Sequence, residues 1–187
     1  MKNNIIIYLI SGRARNGKDT MSKMLEEEYK LLGKRVCFIQ LMRPLKWLLK
    51  DYFGWDGKEE TKPREKLQKM GTELIREELN MPTYFIDRLT ENIKILSKYY
   101  DVFLVTDVRL PLEIELLKKR FDHAVSINIT RENFESDLTD IEKVHYTEVA
   151  LNDYDNFDYI VINKSLDELE IKVKEIVSEV ENNEKND

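Results

Sequence analysis

The residue pattern most suited to chemistry is the segment from Gly12 to Thr20, which has the form G-x-x-x-x-G-K-D-T. Glycines at this spacing let successive backbone N–H groups point toward one centre, where they bind phosphate oxygens at the start of the next helix. Lys18 adds a mobile positive charge to those N–H groups. The segment therefore predicts an ATP-binding phosphate loop made of Gly12, Arg13, Ala14, Arg15, Asn16, Gly17, Lys18, Asp19 and Thr20.

Asp19 is the irregular position of this loop, because the usual residue there is Ser or Thr, whose hydroxyl holds a magnesium ion. A carboxylate next to phosphates is repelled unless a cation lies between them. Asp19 therefore indicates Mg²⁺, bound directly or through water. The alternative is that Thr20 supplies the hydroxyl ligand.

The segments on either side of the loop are those that a phosphate loop needs. The apolar run at residues 5–10 predicts a buried parallel strand. Met21, Leu25 and Tyr29 then recur at helical spacing, and Gly33 is a stop signal. The alternative is a chance match of the motif, but strand, loop and helix follow one another in the required order.

Asp107 and Arg109 form a second candidate site at the end of the apolar run 102–106. Ligands of parallel sheets collect outside the carboxyl ends of the strands, so this position favours a catalytic role beside the phosphate loop. Asp107 could hold magnesium-bound water or orient an attacking oxygen, and Arg109 could bind phosphate. The alternative is a structural ion pair between the two residues.

The segment between the second and third predicted strands is helical and has several candidate ligand-binding residues. Lys46 follows a strand end and is placed to meet an anion, although a solvated lysine is equally compatible with its position. Gln68, Thr72 and Arg76 recur every four residues and predict one polar stripe of an α-helix running from Pro63 through Leu79.

Gly71 lies in the middle of that helix, where glycine costs about 1 kcal/mol relative to alanine. Either close packing of another helix or a ligand lying on this helix could require the missing side chain. The polar stripe beside it is compatible with a ligand site and with ordinary solvation.

Two polar segments have weak apolar periodicity. Residues 131–144 suit a mobile flap with Arg131 at its base, where the arginine could reach phosphates, or else an ordinary surface loop. Residues 181–187 are charged and predict a disordered tail.

The predicted fold class is α/β, a five-stranded parallel sheet with helices on both faces, as in P-loop NTPases and kinases. The length of 187 residues fits a single domain covering 1–187. Residues 44–99 form a helical insertion between the second and third strands, and we expect this insertion to bind the acceptor.

Composition narrows the functional class. The net charge of -6 argues against binding of polymeric nucleic acid, and the N-terminal apolar run is too short for a membrane span. The single cysteine, Cys37, cannot form an internal disulfide and fits a buried strand. We therefore expect a cytoplasmic protein, and the sequence is compatible with a homodimer.

The motifs together resemble the phage-type deoxynucleoside monophosphate kinases. The resemblance rests on the G-K-D-T loop, Pro44-Leu45-Lys46, the pattern Q-x-x-G-T-E-x-x-R from Gln68 to Arg76, the pattern D-x-R-x-x-x-E from Asp107 to Glu113, and Asn163 ahead of a capped helix. They occur in order over nearly the whole chain.

This resemblance implies transfer of the ATP γ-phosphoryl group to a deoxynucleoside 5′-monophosphate, with Mg²⁺. It places Lys46, Arg64, Gln68, Gly71, Thr72 and Arg76 at the acceptor, Arg15 and Arg131 on phosphates, and Asn163 near the adenine of ATP. Where the family commonly has a tryptophan after the acceptor helix, this chain has Tyr84 or Phe85. The implied catalytic group is Lys18, Asp107, Arg109 and Arg131.

Two other functions are compatible with these motifs. One is a P-loop kinase for another small phosphorylated acceptor, such as phosphomevalonate or dephospho-coenzyme A. The other is a nucleotide-dependent switch or binding module that has no acceptor.

Overall fold

The computed structural model describes residues 5–13, 15–132 and 146–186. Five strands form one sheet in the order β2-β3-β1-β4-β5, and every neighbouring pair is parallel. They are β1 (Ile6–Ser11), β2 (Val36–Ile39), β3 (Val102–Val108), β4 (Ala124–Arg131) and β5 (Tyr159–Asn163). The predicted sheet is confirmed.

The central strand β1 is buried along its whole length, as its uninterrupted apolar sequence predicts. Its side chains alternate between two hydrophobic cores, because successive residues of a strand point to opposite faces. Ile7 and Leu9 belong to one core and Tyr8 and Ile10 to the other. The sheet is therefore covered on both faces.

Helices supply the two covering layers. They are α1 (Lys18–Leu31), α2 (Arg43–Phe53), α3 (Arg64–Gln68), a π-helix (Lys69–Glu78), α4 (Tyr84–Leu96), α5 (Pro111–Arg120), α6 (Tyr146–Val149) and α7 (Leu166–Asn186). Helices α1 and α7 pack on the Tyr8 side, whereas α2, α4 and α5 pack on the Leu9 side. The predicted helical insertion between β2 and β3 is confirmed.

The prediction of one α-helix from Pro63 through Leu79 is wrong for most of that span. Residues Lys69–Glu78 form a π-helix, and the N–H of Leu79 donates to the carbonyl of Leu74, five residues back, at 2.9 Å. A π-helix is rare and is frequently found at functional sites. Apolar periodicity did not distinguish the two helix types because both bury one face.

Gly71 explains how the π-helix approaches α2. A Cβ atom at Gly71 would lie 2.8 Å from Cε of Met42 and 3.4 Å from Cδ2 of Leu45. Close helix packing, the first of the two explanations for this glycine, is therefore the one that fits the geometry.

Residues 181–186 of the predicted disordered tail belong to α7, which continues to Asn186. Lys34 Nζ lies 2.6 Å from Glu181 Oε1 and ties this helix to the end of α1. At the other end, the N–H of Glu168 donates to Ser165 Oγ at 3.2 Å, as a helix cap. The predicted flap lies mostly at residues 133–145, outside the described residues. Within the described ranges, no helix is long and apolar enough to cross a membrane.

Candidate active site

The phosphate loop joins β1 to α1, and two of its glycines have backbone angles that other residues rarely adopt. Gly12 has φ 144° and Gly17 has φ 105°. A Cβ at Gly12 would lie 2.3 Å from the carbonyl oxygen of Ile129, and one at Gly17 would lie 2.4 Å from Nδ2 of Asn163. The loop can therefore adopt this conformation only with glycine at both positions.

Asn16 and Asn163 fasten this loop to the sheet. Nδ2 of Asn16 donates to the carbonyl of Ile129 at 3.2 Å, and Nδ2 of Asn163 donates to the carbonyl of Asn16 at 3.1 Å. Because Asn163 is the last residue of β5, the contact links the loop to an edge strand of the sheet. We expected Asn163 near adenine, and the structure gives it a loop-positioning contact.

Lys18 lies over the loop from the first turn of α1. Its Nζ donates to the carbonyls of Gly12 at 2.7 Å and Arg13 at 2.8 Å. A phosphate bound in the loop would offer this ammonium a charged acceptor in place of two neutral carbonyls, and charge-assisted hydrogen bonds are the stronger kind.

A pocket opens beside Lys18 and contains many of the residues predicted to bind ATP. Its wall consists of Arg15, Gly17, Lys18, Asp19, Thr20, Arg131, Asn163, Lys164, Ser165 and Leu166. Arg131 is brought there because it pairs with Asn163 in the parallel register of β4 and β5. Ala14 lies outside the described residues, and Lys164, Ser165 and Leu166 were not predicted to bind ATP.

Asp19 and Thr20 are suitable ligands for Mg²⁺ in this pocket, because both present oxygen atoms beside Lys18. Among the described residues, no group of three or more acidic, histidine or cysteine side chains could form a protein-only metal site. Mg²⁺ is commonly bound by one or two carboxylates together with phosphate oxygens and water. The donor set therefore fits a magnesium ion that arrives with a nucleotide.

A second cavity contains most of the residues predicted to bind the acceptor, and it is called the acceptor cavity after that prediction. Its wall consists of Met42, Lys46, Lys62, Arg64, Leu67, Gln68, Thr72, Arg76, Asp107, Arg109, Glu113 and Thr147. Five of these residues are cationic and only two are carboxylates. The cavity therefore has an excess of positive charge.

Arg76 and Glu113 form the most deeply buried ion pair of this cavity. Nη2 of Arg76 lies 2.9 Å from Oε1 of Glu113, whose side chain is only 3% exposed. Oε2 of Glu113 accepts the N–H groups of Arg109 and Leu110 at 2.8 and 3.1 Å. Burial raises the pKa of the Glu113 carboxyl, although these N–H groups and Arg76 oppose that shift.

Arg76 is held in place by further contacts. Its Nη1 donates to the carbonyl of Gly71 at 3.1 Å, and its Cζ lies 5.0 Å from the ring centroid of Phe85. The guanidinium is therefore fixed before any ligand arrives.

Two buried polar atoms of the cavity wall have no hydrogen-bond partner in the described structure. They are Oγ1 of Thr72 and Nε of Arg76. An unsatisfied buried polar atom costs about 1–3 kcal/mol, so such atoms are rare without a reason. A ligand or water in the cavity would satisfy both.

Asp107 uses its carboxylate to hold the start of α2. Oδ1 accepts the N–H of Leu41 at 2.8 Å and Oδ2 accepts that of Met42 at 3.1 Å. Its Oδ2 also lies 4.0 Å from Nζ of Lys46. The residue lines the cavity, and its contacts show that it also positions the start of α2.

Lys46 is largely buried in the cavity wall. Its Nζ donates to Oε1 of Gln40 at 2.8 Å. Burial lowers the pKa of the Lys46 ammonium, and the nearby cations Lys62 and Arg109 lower it further, whereas Asp107 raises it. An anionic ligand would stabilise the charged form.

Arg109 connects the acceptor cavity with the region of the phosphate loop. Besides the acceptor cavity, it lines a third pocket together with Gly12, Arg13, Asn16 and Arg131. The order of strands β3, β1 and β4 creates this arrangement, because the three carboxyl ends are adjacent. Arg109 thus lies between the two binding regions.

Several outcomes for individual residues differ from the prediction. Gly71 and Tyr84 do not belong to the described wall of the acceptor cavity: Gly71 packs on α2, and the Tyr84 ring packs edge-on against Phe85 at 5.2 Å. Lys62 and Thr147 belong to that wall but were missed. Neither lies in a periodic segment, so no sequence signal identified them.

Comparison with solved structures shows the same architecture. The Mycobacterium tuberculosis APS kinase CysC is 12% identical with a TM-score of 0.53, over 93% of this chain and 97% of that chain. A candidate kinase from Chloroflexus aurantiacus is 11% identical with a TM-score of 0.50, over 96% of this chain and 99% of that chain. No family model and no curated protein matches the sequence.

The chain has the P-loop kinase fold. At these identities the similarity concerns the fold alone. In this P-loop kinase fold the five-stranded parallel sheet with helices on both faces and the position of the loop after β1 agree with the sequence-based prediction. The choice of substrate depends on the residues of the cavity.

Proposed function

We propose that the protein is an ATP-dependent kinase that transfers the γ-phosphoryl group to the phosphate of a deoxynucleoside 5′-monophosphate, giving the diphosphate and ADP. The observation that carries this proposal is the cationic cavity next to the phosphate loop, with Arg109 in the wall of both regions.

The charge of the cavity supports a phosphorylated acceptor. Its cations are Lys46, Lys62, Arg64, Arg76 and Arg109, against the carboxylates Asp107 and Glu113. Both carboxylates already accept backbone N–H groups. Glu59, outside the wall, contacts Lys62 and Arg64 as a third carboxylate, so the five cations still outnumber the carboxylates. An excess of positive charge favours binding of an anion over binding of a neutral acceptor.

The polar groups deeper in the cavity support a nucleoside rather than a purely aliphatic acceptor. The unpartnered Nε of Arg76 is a donor, and the unpartnered hydroxyl of Thr72 can donate or accept. Gln68 adds an amide to the same wall. The carbonyl and ring-nitrogen edge of a base complements such a set.

The chemistry then follows from charge and position. An oxygen of the acceptor phosphate attacks the γ-phosphorus of ATP, the bond from that phosphorus to the bridging β-oxygen breaks, and the bond electrons leave with ADP. Lys18 exchanges its loop carbonyls for phosphate oxygens, while Arg109 and Arg131 offset the charge of the two nucleotides. Mg²⁺ at Asp19 or Thr20 would add Lewis-acid stabilisation of the phosphates.

A panel of acceptors tests the proposal. We expect ADP release with ATP and at least one deoxynucleoside monophosphate to exceed the rate without acceptor by several orders of magnitude. Turnover only with a non-nucleotide, such as phosphomevalonate or dephospho-coenzyme A, would show that the acceptor class is wrong. Slow hydrolysis that no monophosphate stimulates would indicate a nucleotide-dependent switch.

A further inference from the structure

In the connection between α2 and α3, the carboxylate of Glu59 contacts two cations of the acceptor cavity. Glu59 Oε1 lies 2.6 Å from Nη2 of Arg64 and 3.2 Å from Nζ of Lys62, and its Oε2 lies 3.1 Å from the same Nζ. Lys62 and Arg64 both line the cavity. Glu59 therefore partly neutralises the positive charge of Lys62 and Arg64.

The geometry of this contact is one that a phosphate would also make. Two oxygens on a single centre bridge an ammonium and a guanidinium, as two terminal oxygens of a phosphate monoester can. A monoester is close to doubly charged near neutral pH, whereas Glu59 has one negative charge. The exchange of Glu59 for a phosphate therefore increases the charge attraction at both cations.

Glu59 is also easy to displace. Its side chain is 65% exposed, whereas that of Lys62 is 20% exposed. Exposed ion pairs contribute at most about 1 kcal/mol, because water solvates the released carboxylate well. Release of Glu59 exposes no buried charge, and the two cations stay at the cavity wall.

We propose that Lys62 binds the phosphate of the acceptor and that Glu59 is an internal competitor, which occupies Lys62 and Arg64 until that phosphate displaces it. This inference rests on the proposed function only in requiring a phosphorylated ligand in the cavity. It adds two residues, Lys62 and Glu59, that the family resemblance does not assign.

The same connection contains a spectroscopic reporter. Nε1 of Trp55 donates to the carbonyl of Lys58 at 3.1 Å, one residue before Glu59. Trp55 and Glu59 also line a shared pocket with Lys62. The chain has two tryptophans, and the other, Trp47, is 68% exposed on α2. In a Trp47→Phe background, Trp55 alone reports on release of Glu59.

The test is a titration of the full chain with inorganic phosphate, and then with a deoxynucleoside monophosphate, without ATP and at constant ionic strength. Trp55 emission in the Trp47→Phe protein measures binding. We expect Glu59→Gln to bind inorganic phosphate about threefold to tenfold more tightly, and Lys62→Met about tenfold or more weakly. Glu60→Gln, with the same charge change at the next exposed residue, is the control and should change affinity less than twofold.

Each outcome decides one part of the proposal. Equal effects of Glu59→Gln and Glu60→Gln would show a general charge effect and overturn the competitor role. Unchanged phosphate affinity in a Lys62→Met protein with a normal thermal unfolding transition would overturn the phosphate-binding role. The titration measures binding and does not measure phosphoryl transfer. If the acceptor panel shows no phosphorylation of a nucleotide, the proposed function fails, but the titration still tests the roles of Lys62 and Glu59.

Discussion

Arg76 on the π-helix and Glu113 on α5 meet at 2.9 Å in the wall of the acceptor cavity. They are 37 residues apart in the sequence, and Glu113 is almost completely buried. Its second oxygen accepts the N–H of Arg109 at 2.8 Å. The Glu113 carboxylate therefore holds the guanidinium of Arg76 and the backbone of Arg109. Substitutions of these residues can separate its effect on stability from its effect on acceptor binding.

Glu113→Ala should destabilise the protein by about 3–5 kcal/mol, because it leaves the Arg76 guanidinium buried without its counter-ion. Glu113→Gln keeps an oxygen for the backbone N–H groups and should reduce the stability by less.

We expect Glu113→Gln and Arg76→Ala to raise the KM for the acceptor at least about tenfold while the KM for ATP changes little. Urea denaturation and steady-state kinetics measure the two effects. An equal rise in both KM values would contradict a role at the acceptor.

Lys18→Ala should lower kcat by at least about a thousandfold, because it removes the ammonium that lies over the phosphate loop. The fold should survive, because the hydrogen bonds that Lys18 donates to loop carbonyls lie outside the two hydrophobic cores. Lys23→Ala, an exposed lysine of the same helix, is the matched control and should retain activity. Full activity in the Lys18 variant, measured by ADP release, would refute its role.

Acceptor binding should weaken at alkaline pH because of Lys46. Burial lowers the pKa of this lysine, with Lys62 and Arg109 acting in the same direction and Asp107 and Glu59 against it. The ammonium is lost as the pH rises through the lowered pKa, so acceptor affinity should fall there. Lys46→Arg, which stays charged, should move this fall to higher pH. A pH profile of kcat/KM for the acceptor that is identical in both proteins would contradict the assignment.

The same lysine affects stability in the opposite direction. Between its lowered folded pKa and its ordinary value, the unfolded chain binds more protons than the folded chain, so stability rises with pH in that window. Lys46→Met should remove this rise while reducing activity. Thermal unfolding across that window checks the sign.

Asp101 and Arg35 provide a second pH effect, remote from the cavity. Hydrogen bonds from Arg35 lower the pKa of Asp101 to about 2. The contribution of this ion pair to the stability of the fold is present above the ordinary pKa of aspartate and is lost as the pH falls through about 2. Asp101→Asn should therefore flatten the acid limb of the stability profile without changing kcat. Denaturation between about pH 2 and 5 measures this limb.

Local patterns predicted the parts of the molecule that depend on neighbouring residues in the chain. The apolar run of β1, the glycines of the phosphate loop and the stop at Gly33 were identified correctly, because strand burial, left-handed backbone angles and helix ends each leave a short-range signature. The sheet and its helical insertion were predicted for the same reason.

The hydrogen-bond register of a helix and the position of a polar connection were not accessible in this way. The π-helix differs from an α-helix by one residue in its hydrogen-bond register, and the apolar pattern is similar in both. The contact of Glu59 with Lys62 and Arg64 lies in a polar connection that has no periodicity. Its position depends on how α2 and α3 pack, which no local pattern encodes.

The sequence by itself determined a phosphate loop, an α/β sheet and a set of candidate cations. Only the tertiary structure decided which cations converge, that Asp107 holds α2, and that Gly71 serves packing. The physical reason is that residue type and spacing encode local backbone geometry, whereas the charge balance of a cavity depends on side chains that only folding brings together.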